Sequence, residues 1–138
     1  MSMRSILELQ KELIDIGETL VGRPRPNGLF LMPDSPTHSG APHVEIVNDK
    51  YHYVVTERGS EFERKIAKDE DELLYWFVSD SIFSIACSWE LKHRKENEDS
   101  RRQLFSKQIE LLNKINPEWA ARKAKYHEQV LKKNPFTS

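Results

Sequence analysis

His43-Val44-Glu45-Ile46-Val47-Asn48-Asp49-Lys50-Tyr51-His52-Tyr53-Val54-Val55-Thr56-Glu57-Arg58-Gly59-Ser60-Glu61-Phe62-Glu63-Arg64-Lys65-Ile66-Ala67 is the stretch on which the fold turns. His43 to Val47 alternates, with Val44 and Ile46 on one side and His43 and Glu45 sharing the other. Asn48-Asp49-Lys50 reads as a turn. Tyr51 to Thr56 is rich in aromatic and β-branched residues, which favour a pleated strand. Arg58-Gly59-Ser60 is a second turn, and Glu61 to Ala67 alternates again, with Phe62 and Ile66 opposed to Glu61, Glu63 and Lys65. Three strands joined by short turns predict an antiparallel meander with one packed face and one wet face.

Around this core the signals are helical. Residues 3–20 carry Ile6, Leu7, Leu9, Leu13, Ile14, Ile16 and Leu20 at helical spacings. Gly22, Pro24, Pro26, Asn27 and Gly28 end that helix in a loop. Leu29 to Met32 reads as a short apolar strand, and residues 33–42, with Pro33, Pro36, Gly40 and Pro42, as a second loop without regular structure. Asp69 precedes Glu70, Asp71 and Glu72, an acidic first turn suited to the positive end of a helix. The helix from about Asp71 to Arg94 is apolar on nearly all sides, which predicts the central helix with Trp76 and Phe83 in the core. A further helix spans about Asp99 to Ile115. Asn116-Pro117 then supplies an N-cap and a first-turn proline for the last helix, which stops at Asn134-Pro135. The order predicts an α+β class: an antiparallel sheet of three to four strands, an N-terminal helix and three C-terminal helices. At 138 residues, one domain over 1–138 is expected.

Composition narrows the function. The net charge of −1 argues against a nucleic-acid coat or membrane-surface binder, and one cysteine, Cys87, builds neither a disulfide framework nor a zinc ribbon. The N-terminus breaks to Glu8 and Lys11 too early for a signal peptide. The most apolar segment, Leu73 to Leu91, contains Asp80, Glu90 and four serines, so a buried helix of a soluble, cytoplasmic protein is expected. Residues 1–99 hold 12 basic and 19 acidic side chains, and residues 100–138 hold 9 and 3. The basic end suggests either a nucleic-acid stripe or one solvated helix pair, and no aromatic-rich basic loop accompanies it.

Candidate chemistry is sparse. Glu90-Leu91-Lys92-His93 is an ExxH, but a di-metal bundle needs two of them and further glutamates. Glu90, His93, Arg94 and Asn97 share one helical face, as structural ion pairs or as partner contacts. Asp80, set among Phe77, Val78, Ile82 and Phe83, reads as a buried carboxylate satisfied by a sheet side chain, or else as a catalytic acid. Cys87 sits among apolar residues and reads as a small buried residue rather than a nucleophile. No phosphate-cradling glycine loop or nucleophile elbow is present. No metal, cofactor or catalysis is expected, and a binding protein is the default.

Tyr51 to Gly59, Asp71-Glu72-Leu73-Leu74-Tyr75-Trp76, Glu90 to Arg94 and Pro117-Glu118-Trp119 together resemble immunity protein family sixty-three of bacterial polymorphic toxin systems. The resemblance covers roughly residues 43 to 135 and implies a small cytoplasmic α+β protein that binds and neutralises a cognate toxin domain by occlusion. Residues 43–72 hold nine acids and five bases, a patch that would complement a basic toxin cleft. Glu57, Arg58, Glu61, Glu63, Glu90, His93 and Arg94 are the expected partner contacts. The other readings are a nucleic-acid-binding adaptor using the basic C-terminal helices, and a metal-dependent enzyme with an ExxH site shared between subunits.

Overall fold

The computed structural model describes residues 3–23 and 28–138. Pro24, Pro26 and Asn27, three residues of the expected first loop, lie outside them, as do Met1 and Ser2. The described elements run α1 (Ile6–Val21), β1 (Ser39–Val47), β2 (Lys50–Glu57), β3 (Ser60–Ile66), α2 (Glu70–Lys92), α3 (Ser100–Ile115) and α4 (Pro117–Lys133). The sheet order is β1-β2-β3 and both pairings are antiparallel. This is the α+β architecture that the sequence predicts. The chain forms two compact units, Met1–Ser79 and Asp80–Ser138, and the boundary falls inside α2.

Local chemistry sets the ends of the elements. α1 starts at Ile6 rather than residue 3 because Ser5 and Glu8 form a reciprocal cap: Glu8 N–H donates to Ser5 Oγ and Ser5 N–H to Glu8 Oε1, both at 3.2 Å. Asp69 caps α2, accepting from Glu72 N–H at 2.8 Å. Asp99 caps α3, and Asn116 both ends α3 and caps α4. Both hairpin turns have two residues in the left-handed region, Asn48 and Asp49 (φ 51° and 61°), then Arg58 and Gly59 (φ 51° and 82°). Such mirror-image turns match the twist of the strands they join.

The first unit buries β2 on both faces. Tyr51 and Tyr53 point to one face, where the Tyr53 ring meets Trp76 and Phe77 edge-on at 5.7 and 5.3 Å. His52, Val54 and Thr56 point to the other and are buried too. β3, by contrast, is exposed along its whole length apart from half-buried Lys65. The expected division into a packed face and a wet face is therefore corrected: burial divides between the strands, centre against edge. Phe62 and Ile66, expected inside, are 67% and 53% exposed.

Two further expectations change in this unit. Leu29 to Met32 is not a strand: Phe30 takes φ 55°, a left-handed turn that breaks extended backbone, and its ring is fully buried. The ring packs where a Cβ on Gly17 would stand, 2.6 Å from the Phe30 ring atoms Cγ and Cδ2, so glycine at 17 lets loop and helix approach. Residues 39–42, expected as loop, are the irregular start of β1, with a register shift between Ser39 and Pro42.

Within α2, Val78, Ile82, Ala86 and Glu90 recur every four residues as a buried seam. Asp80 and Phe83 lie off that seam. Asp80 is exposed, the small Ser79 and Ser81 being buried beside it, so it is not the buried carboxylate expected. Phe83 is 51% exposed and is not a core residue. α2 ends at Lys92, and Asn97 lies beyond it with φ 62°, so Asn97 does not share a helical face with Glu90. Cys87 is half-buried, and burial pushes its thiol up.

Phe77→Ala, at a side chain 2% exposed, is expected to lower stability by about 3–5 kcal/mol. Gly17→Ala should lower it by about 1–3 kcal/mol through overpacking, and Phe83→Ala should stay within about 1 kcal/mol, as for most exposed positions. Midpoints of chemical denaturation measure all three.

Candidate functional site

β2 and β3 are out of simple register. Val55 pairs with Glu63, yet the next residue, Thr56, pairs with Glu61, so Phe62 is an extra, unpaired residue in β3. In a regular strand, residues three apart point to opposite faces. The bulge brings Glu61 and Arg64 onto one face, that of His52, Val54 and Thr56.

On this face Arg64 is held at every side-chain nitrogen. Its Nε and Nη2 donate to Glu61 at 3.0 and 2.8 Å, Nη2 also to Glu45 at 3.2 Å, and Nη1 to His52 Nδ1 at 3.0 Å. A guanidinium only donates, so His52 Nδ1 accepts. Glu45 binds His43 Nε2 at 2.6 Å through its other oxygen, as expected for two residues on one face of β1. The His43 hydrogen bond, then Arg64, hold the Glu45 carboxyl below the usual carboxylate range. Arg64 does the same to Glu61, and the two carboxylates raise the Arg64 guanidinium. The network has three strands as its base.

The other expected contacts of this unit flank it. Glu57 and Arg58 occupy the exposed β2–β3 turn, where Arg58 N–H donates to the His38 carbonyl at 3.1 Å. Glu63 lies on β3 opposite Val55 and is exposed. Lys65, opposite Tyr53, covers the Tyr53 and Trp76 rings at 4.6 and 4.3 Å on the aromatic face. Glu70 closes the unit from the side. It accepts from Arg4 N–H at 3.0 Å and Nε at 2.7 Å, while Tyr51 donates to the Arg4 carbonyl at 2.5 Å. The Arg4 backbone bond, then its side chain, lower the Glu70 carboxyl. Beside this cluster a cavity of about 620 Å³ is lined by Met3, Lys50, Ile66 and Asp71, among others.

The second unit carries Glu90, His93 and Arg94. Glu90 is buried and takes a fork from Arg94, Nη2 at 2.7 Å and Nε at 3.1 Å, so the ion pair read from the sequence is present. His93 follows the last turn of α2. Its ring stacks on Trp89 at 4.4 Å, with Nδ1 2.8 Å from the Trp89 carbonyl oxygen. The ExxH pair is thus engaged on separate partners. Among the described residues no three His, Cys, Asp or Glu side chains gather as metal ligands, and no helix is long and apolar enough to cross a membrane.

Glu61 and the His43–Glu45 pair are readable in the sequence, and Arg64 is not. The turn after Val47 has two residues, Asn48 and Asp49, rather than the three expected, and this places Glu45 opposite His52. Arg64, counted from the second turn without the bulge, would face Tyr53, on the aromatic side. No residue type in the stretch marks that bulge.

Also in the second unit, His127 is buried and stacks on Phe105 at 3.9 Å. Burial, with Lys123 nearby, pushes its pKa down to about 4 from 6.5. The unfolded chain then binds the proton that the folded chain refuses between those values, so stability falls as pH drops through 6.5 and levels off near 4. The slope is at most about 1.4 kcal/mol per pH unit. His127→Phe keeps an aromatic ring against Phe105 and should remove that part of the slope, measured as denaturation midpoint against pH.

No curated protein and no solved structure matches the chain. The family model described as Immunity protein 63 matches residues 48–129, from the first hairpin turn through β2, β3, α2 and α3 and into α4. That span is more than half of the chain, and the chain belongs to the Immunity protein 63 family.

Proposed function

We propose that this chain is a cytoplasmic immunity protein that binds one cognate toxin domain stoichiometrically and neutralises it by occlusion, without catalysis. Family membership over residues 48–129 carries the reading, since an immunity protein implies a toxin partner. The acidic excess of residues 43–72 supports it: an inhibitor that acts by covering a surface needs charge and shape, and complementary charge speeds encounter. The contacts proposed in the first unit are Glu57, Arg58, Glu61 and Glu63. In the second they are the exposed His93 and Arg94, with buried Glu90 orienting Arg94. The whole chain, 1–138, is taken as one functional domain because α2 runs through both units without a break.

The test reverses charges that are not spent on internal structure. Glu61 holds Arg64, so the substitutions are Glu57→Lys and Glu63→Lys, with Glu128→Lys on α4 as control. Exposed substitutions usually shift stability by no more than about 0.5 kcal/mol. The double reversal should leave the denaturation midpoint in place, slow association with the toxin domain encoded beside this gene, and reduce the salt dependence of that rate. Protection of a strain expressing the toxin is the cellular readout. Unchanged association and protection, alongside loss of both on changes in residues 100–138, would move the binding face to the last helices.

A further inference from the structure

We propose that Phe62 is the apolar anchor of the toxin-binding face, presented by the bulge in β3 beside a charged cluster that Arg64 holds. The proposal rests on the immunity reading and names the part of the surface that dominates binding. Phe62 is the unpaired residue of the bulge, and its side chain is 67% exposed. Ile66, at the end of the same strand, is 53% exposed. Bulges often re-aim a side chain, and this one puts a large ring into water on a strand whose neighbour is buried.

The surroundings say what fits. Glu61 and Glu63 flank Phe62 in sequence, and Glu57 lies at the turn before them. Arg64 is locked by Glu61, Glu45 and His52, so this part of the surroundings loses little side-chain entropy on docking. A large exposed aromatic side chain with charged neighbours suits the apolar centre and polar rim of an interface. The fitting partner is therefore a toxin surface with a recess for one aromatic ring, rimmed by Lys or Arg. A second copy of this chain fits less well, because it would set a region of net negative charge against itself. Strand addition along β3 is also disfavoured: a bulge and four charged side chains in seven residues are the usual guards of a sheet edge.

The experiment uses the full chain and the toxin domain encoded beside its gene. Phe62→Ala removes a mostly exposed side chain, so its thermal midpoint should stay close to wild type, while its dissociation constant should rise about thirty-fold or more, as for a truncated anchor. Leu7→Ala, which removes an equally exposed apolar side chain from α1, should bind as wild type does. Arg64→Lys keeps the charge but loses the fork, and should weaken binding less than Phe62→Ala. Wild-type affinity for Phe62→Ala, where the wild-type chain binds and protects, would overturn this anchor and leave the immunity reading standing. A wild-type chain that neither binds nor protects would overturn both. A wild-type dimer in sedimentation that Phe62→Ala converts to monomer would assign the face to a second copy instead.

Discussion

One extra residue in β3 determines what the two faces of the sheet hold. Without the bulge at Phe62, Arg64 would stand opposite Tyr53 among the aromatic rings, Ile66 would point the same way, and Lys65 would fall opposite His52. A one-residue slip moves every later side chain of a strand to the other face. With the bulge, Lys65 lies over Tyr53 and Trp76, and Arg64 reaches Glu45, Glu61 and His52. A guanidinium among buried rings without a carboxylate would be far more costly than one that meets two of them. The bulge therefore settles where the charges go, and the central strand can then be buried on both sides.

The same constraint explains how a sheet of three strands is held. β2 has neighbours on both edges, and its buried His52 and Thr56 are each hydrogen-bonded, His52 to Arg64 and Thr56 to the His38 N–H at 3.1 Å. On the aromatic side Tyr51 has its hydroxyl on the Arg4 carbonyl, and burial raises its pKa. Arg4 in turn binds Glu70 and Glu12, so the chain before α1 is tied to the start of α2. Buried polar groups without partners are costly, and in this unit several are joined into two short networks, one on each face. Among the described residues of this unit, His43 Nδ1 and Ser79 Oγ are buried without a hydrogen-bond partner.

Local signals were legible in the sequence, and pairings over distance were not. Caps at Asp69 and Asn116, the two hairpin turns and the helical periodicities each depend on a few neighbouring residues, and the structure has them. Phe30 reads as a strand residue because β propensity describes a half-buried pleated surface, whereas its real place is set by the missing side chain of Gly17, thirteen residues away. Asp80 and Phe83 read as core because α2 is apolar nearly all round, which hides the seam that is buried. Of the candidate site, the acids and the His43–Glu45 pair could be read. Arg64 as the hub and Phe62 as an exposed ring could not, because both follow from the bulge.

An apolar residue in an alternating strand is expected inside because exposure wastes its burial, at about 25 cal/mol for each Å² of apolar surface. Single exposed apolar residues are common on proteins. Phe62 and Ile66 differ in lying on one edge strand beside a network that fixes the charges around them. Folding leaves that apolar area unused, and association can still bury it. If the chain works by covering a toxin surface, as proposed, burial withheld from the core and placed beside fixed charges is available for the partner. The features that look least economical for folding are therefore the ones that suit binding.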